Sequence, residues 1–153
     1  MQINGEYTVP ADVDTVWKAL NDPQVLKLCI KGCEHIEKIT DTEFAAKVTS
    51  KIGPVKAKFD VEIELSNLEP PHKYTLSGGG KGGVVGFAKG MADIQLIDAA
   101  DGQTNISYDA GIQASGKLAQ IGSRLFVGAT RKIAAEFFET FGKYLSGEVQ
   151  IEA

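Results

Sequence analysis

The sequence predicts an α+β fold: a curved, seven-stranded antiparallel sheet wrapped around one long C-terminal helix, with two short helices between strands one and two. Three observations carry this expectation. Apolar and polar residues alternate from Glu34 to Ser115, which is the period of half-buried strands. Turns rather than helices separate the alternating runs, so neighbouring strands should be antiparallel with one wet face. From Lys117 to about Ser146 the apolar residues recur at helical spacing instead.

The first strand sets Ile3, Gly5, Tyr7 and Val9 against Gln2, Asn4, Glu6 and Thr8, and Pro10 ends it. Asp12 is placed to cap a short helix whose Val13, Val16, Trp17 and Leu20 share one face. Asn21-Asp22-Pro23 stops that helix, and Pro23 starts a second one through Ile30. Phe44, Ala46 and Val48 open a strand. The clearest strand follows, with Val55, Ala57, Phe59, Val61, Ile63 and Leu65 on one face and charged residues on the other. Further strands begin at Lys73, Ala88 and Asn105, and Gly53-Pro54, Pro70-Pro71 and Asp101-Gly102 mark turns. A single helix from Lys117 to Leu145 would be about 43 Å long at ~1.5 Å per residue, enough to cross the whole sheet.

The totals fit one domain spanning residues 1–153, with 43% hydrophobic and 24% charged residues. Sixteen basic against 20 acidic residues give a net charge of −4, which argues against a nucleic-acid partner. No apolar run is long enough to span a membrane, and the N-terminus lacks the pattern of a signal peptide. Two cysteines without an export signal suggest reduced thiols, so the expected location is the cytoplasm.

Ser77 to Gly90 holds seven glycines and two lysines. Gly78 to Gly83 formally satisfies GxGxxG, but a strand pattern follows where a dinucleotide site needs a helix. The Walker pattern fails because no Gly-Lys pair precedes Ser or Thr. The remaining account is steric: strand glycines make room for another backbone or for a ligand. Ala88, Gly90, Ala92, Ile94 and Leu96 run from small to bulky on one strand face, and Tyr74 and Leu76 give way to Gly78 and Gly80 on the strand before it. With Gly122, Gly128, Ala129 and Ala134 on the helix, the small residues predict either close packing or an apolar cavity.

The segments "NDPQVLKLCIKGCEHIEKI", "GPVKAKFDVEIEL", "GKGGVVGFAKGMADIQL" and "SGKLAQIGSRL" together resemble the CoxG family, the G-subunit family of carbon monoxide dehydrogenase, part of the START and birch-pollen-allergen-like (SRPBCC) superfamily. The resemblance covers nearly the whole chain. It implies a helix-grip fold around a hydrophobic tunnel, and an accessory protein that binds a lipid- or quinone-like molecule. The implied partners are a molybdenum hydroxylase and a membrane. Two departures stand out. Where the family has Pro-Gly-Cys this sequence has Lys31-Gly32-Cys33, and the chain ends at Ala153, so any membrane contact at the inner face is expected to be peripheral.

Alternation, helical period and this resemblance together select a cavity lining of Phe59, Val61, Leu76, Gly78, Ala88, Gly90, Tyr108, Ala110, Leu125, Phe126, Ala129, Ile133 and Phe137. Lys81, Lys89, Lys117 and Arg124, with Phe87, are expected at the cavity rim, facing anionic headgroups, an acidic partner or solvent. Tyr108 either orients a ligand carbonyl or reaches a core partner. Cys29, Cys33 and His35 offer too few ligands for zinc, so no metal is expected. No cofactor is expected beyond a fatty acid or quinone carried as cargo. Most carboxylates fall on the wet face, which favours a carrier over an enzyme in the same tunnel. A ligand-free docking or assembly factor is the third reading.

Overall fold

The computed structural model describes residues 1–151. Its elements are β1 (Gln2–Val9), α1 (Val13–Leu20), α2 (Pro23–Cys29), β2 (Cys33–Thr40), β3 (Glu43–Ile52), β4 (Val55–Glu69), β5 (Lys73–Lys81), β6 (Phe87–Asp98), β7 (Thr104–Ala114), α3 (Lys117–Gln120) and α4 (Ser123–Leu145). All seven strands form one antiparallel sheet in the order β1-β7-β6-β5-β4-β3-β2. Strands β2 to β7 are a meander, and the two short helices carry the chain across so that β1 pairs with β7.

Local chemistry sets the short helices. The Asp12 carboxylate accepts the Thr15 N–H at 2.9 Å, and Asp22 accepts the Gln24 N–H at 2.9 Å with Pro23 in the first turn. Val13, Val16, Ala19 and Leu20 turn inward from α1, and Trp17 meets Tyr74 edge-on at 5.3 Å. Between α2 and β2, Gly32 sits at φ +83°, where a Cβ would run into the Thr49 carbonyl. The Thr49 N–H donates to the Gly32 carbonyl at 2.9 Å. The turn therefore depends on its glycine, and the adjoining Lys31 reaches Glu136 on α4 at 3.8 Å.

The single helix expected from Lys117 to Ser146 is instead two. Gly122 stands between α3 and α4 at φ +93°, a left-handed conformation that glycine adopts without steric cost. The apolar period survives the break because Leu118, Ile121 and Phe126 all pack into one cluster. With 23 residues, α4 is about 35 Å long at ~1.5 Å per residue.

Two hydrophobic clusters result. The larger joins β1, α1, α2 and the bulky ends of β5, β6 and β7 to the C-terminal half of α4, with Phe141 wholly buried. Phe138 stacks on Tyr7 at 4.4 Å and lies 6.1 Å from Tyr108. Gly5 makes that stack possible: it opposes Tyr108 across β1 and β7, and a Cβ there would lie 2.7 Å from the Tyr108 ring. The smaller cluster gathers Ile52, Phe59, Leu118 and Phe126 at the other end of the sheet.

The turn between β5 and β6 is locked to the segment between β7 and α3. Gly86 is at φ +98°, and a Cβ on it would run into the Ser115 carbonyl; Gly116 packs equally tightly on the Gly86 Cα. Gly86→Ala should therefore lower the urea midpoint by the equivalent of about 1–3 kcal/mol. Gly83→Ala, also at positive φ but facing open space, should lose less. Equal midpoints for the two variants would contradict the close backbone packing.

Candidate functional site

Antiparallel register brings the small residues together on the face toward α4. Directly opposed residues share a face, so one inner row reads Val61, Gly80, Ala88, Ala114 and the next Ile63, Gly78, Gly90, Ile112. Beyond them come Leu65, Leu76, Ala92 and Ala110, and then Tyr74, Ile94 and Tyr108. The inner surface thus rises from glycine to aromatic over four rows. Burial follows that gradient: Tyr74, Ile94, Tyr108 and Leu96 are buried, whereas Val61, Leu76, Gly78, Gly80, Ala88, Gly90, Ala92 and Ile112 are half-buried, and Gly78, Gly80, Ala88, Gly90 and Ile112 also border a groove on the other face of the thin sheet.

The helix side shows the same opening. At about 100° per residue, Phe126, Ile133 and Phe137 lie on one stripe of α4. Phe126 is only 4% exposed, yet Ile133, which stands between the other two on that stripe, is 41% exposed. Ile133 packs into neither hydrophobic cluster. The two hydrophobic clusters meet only through half-buried residues such as Ile112.

The sequence-selected lining residues divide accordingly. Phe59, Val61, Ala88, Phe126 and Ala129 belong to the smaller cluster, and Leu76, Tyr108, Ala110 and Phe137 to the larger. Gly78 and Gly90 oppose each other between them. Leu125 is set about 100° round the helix from Phe126 and is 55% exposed, so it sits at the flank rather than over the rows. Tyr108 is a core side chain, stacked in the aromatic group, and burial first and Tyr7 second push its phenol above the ordinary range.

The rim residues also separate. Lys117 opens α3 and Arg124 lies in the first turn of α4, but Lys81, Phe87 and Lys89 alternate onto the outer face of the sheet and line a groove there. Phase decides this: an odd position on β5 or β6 points away from the helix. The outer groove itself escaped sequence reading, although the odd-numbered Gly79 and Gly111 were its signal.

The inner surface offers little for acid–base or metal chemistry. Among the described residues, no three His, Cys, Asp or Glu side chains converge to hold a metal. Cys29 is buried at the end of α2, and Cys33 is half-buried at the start of β2, its thiol donating to the His35 carbonyl at 3.5 Å. Burial pushes the Cys29 thiol up to about 11, so at pH 8 only about one molecule in a thousand carries the thiolate. Native protein at that pH should leave Cys29 unlabelled by a disulfide reagent until urea is added. Rapid reaction of both thiols without urea would contradict this burial.

Residues 5–146 match the CoxG family, described as the G subunit of carbon monoxide dehydrogenase. The chain belongs to the CoxG family. Among solved structures, a conserved protein from Geobacillus kaustophilus is 32% identical, with a TM-score of 0.90 and 96% of each chain covered. A START superfamily protein from Mycobacterium smegmatis superposes with a TM-score of 0.73 at 7% identity, covering 97% of this chain and 99% of that one. The protein Ara h 8.0201 gives a TM-score of 0.69 at 15% identity, covering 96% of this chain and 98% of that one. These last two show a shared helix-grip fold. No curated protein matches the sequence. CoxG is an accessory subunit family, and among the described residues no helix is long and apolar enough to cross a membrane.

Proposed function

We propose that this CoxG-family chain is a non-catalytic carrier of a lipid- or quinone-like molecule, serving a molybdenum hydroxylase of the carbon monoxide dehydrogenase type. The observation that supports this most is the gradient of the inner rows, from Tyr74, Ile94 and Tyr108 down to Gly78, Gly80, Ala88 and Gly90, at the end where Phe126 and Ala129 of α4 pack with Val61 and Ala88. Apolar walls with few polar groups suit a hydrophobic cargo. Phe59, Val61, Leu76, Gly78, Ala88, Gly90, Phe126, Ala129, Ile133 and Phe137 supply the contact surface, with Tyr108 and Ala110 at its packed end and Leu125 at its flank. The unpaired apolar surface there offsets the entropy that a flexible chain loses on entering.

Charge distribution supports delivery at an anionic membrane surface. Segments 44–59, 70–92 and 110–135 contain no Asp or Glu. The turns and helix start within them carry Lys51, Lys56, Lys81, Lys117 and Arg124 toward one end of the sheet, because Gly53 approaches Ile121 and Gly86 packs on Ser115. Val84, 87% exposed, is the apolar tip of that end. Each basic residue near an anionic bilayer contributes about 1 kcal/mol.

Denaturing the purified protein, extracting with organic solvent and weighing the extract by mass spectrometry tests the cargo. One prenylated quinone or fatty acid per chain is expected; an empty extract and no uptake of added ligand would overturn the carrier function. Ala129→Trp should reduce uptake while leaving the unfolding midpoint near that of the parent, and unchanged uptake would remove the cargo from beneath α4. Co-sedimentation with phosphatidylglycerol vesicles should fall about fivefold for Lys117→Ala and be lost for Val84→Asp. Absence of binding by the parent protein would end the membrane role.

A further inference from the structure

We infer that the outer face of the sheet is an interface with a second copy of this chain. The inference does not rest on the carrier function, since it concerns the opposite face. An open groove of about 1020 Å³ crosses that face from Ile39 on β2 to Met1 beside β1. Its floor is low because Ala45, Ser77, Gly79 and Gly111 are small and the sheet beneath is thin enough that Gly78, Gly80, Ala88 and Gly90 of the inner rows also border it. Its walls leave large apolar side chains uncovered: Met1, Ile39, Phe87 and Met91, the last 59% exposed, all line it. Four such side chains around one trough form a patch rather than scattered surface hydrophobics.

Charge selects the occupant. One outer row reads Ala45, Glu62, Gly79, Lys89, Gln113. Glu62 and Lys89 therefore flank Gly79 symmetrically, one strand to either side, each about 4.8 Å away in the hydrogen-bonding direction. The β3–β4 half of the groove carries Glu43, Asp60, Glu62 and Glu64, and the β5–β6 half carries Lys81 and Lys89. Lys47 pairs with Asp60 at 3.0 Å, but among the described residues Glu62, Glu64, Lys81 and Lys89 make no ion pair within the chain. A foreign partner would have to carry the mirrored arrangement; a second copy already does. A twofold axis running along β5 lays Glu62 of each copy over Lys89 of the other, so both contacts form at once. Val84, Lys117 and Arg124 are not part of the groove and stay free at the end of the pair.

Sedimentation equilibrium on the parent chain and on Glu62→Lys and Lys89→Glu variants tests this. The parent should show the mass of two chains. Each variant alone sets like charges at both symmetric contacts and should raise the dissociation constant at least about tenfold. Mixing the two variants in equal amounts recreates both opposite-charge pairs and should restore the double mass. Both residues are exposed, so unfolding midpoints should match the parent and exclude misfolding as the cause. A parent of single-chain mass, variants that associate as well as the parent, or a mixture that stays monomeric would each overturn the interface.

Discussion

Antiparallel register is the constraint from which the rest of this molecule follows. It sets Gly78 opposite Gly90 and flanks them with Ile63 and Ile112, so missing side chains on separate strands coincide in space. Had either strand slipped by one residue, its glycines would have moved to the other face and the inner rows would have been dispersed. In the observed register the sheet is thin over a contiguous area. On the helix above, Ile133 joins neither hydrophobic cluster. The same local thinness appears on the outer side through Gly79 and Gly111, where it makes a trough.

The packed end supplies what the thin end lacks. Tyr7, Tyr108, Phe137, Phe138 and Phe141 form one aromatic group around the C-terminal half of α4. Aromatic pairs contribute beyond the area they bury, by about 0.5–1.5 kcal/mol each. The helix is thus held mainly at one end, with Phe126 and Leu118 closing the other.

Much of this was legible in the sequence. The period-two runs located the strands, and the switch to helical spacing at Lys117 located the C-terminal helices. Asp12 and Pro23 announced the two short ones. Taper from Gly90 to Leu96 announced the small-to-bulky gradient of the inner rows. Gly122 and Gly128 suggested a bend or close approach in the C-terminal helix, but apolar spacing passes through Gly122 unchanged, and only its positive φ shows that the helix breaks there. The stacking of Tyr108 also stayed hidden, since it depends on Gly5, a residue 103 positions away that becomes its neighbour only through the β1–β7 pairing. Lys81, Phe87 and Lys89 were expected at the cavity rim with Lys117 and Arg124, but their odd positions set them on the outer face of the sheet.

The backbone packing of Gly86 on Ser115 and Gly116 has a mechanical meaning. With no side chain between them, the β5–β6 turn and the segment leading into α3 form one stiff corner. Leu118, wholly buried, is the first apolar bolt of that corner into the interior. A push on Val84 is therefore transmitted along covalent and van der Waals contacts to Leu118. One turn further on, Gly122 begins α4 without a side-chain cap. The exposed tip and the start of the long helix are thus joined through glycine backbone contacts and one buried leucine.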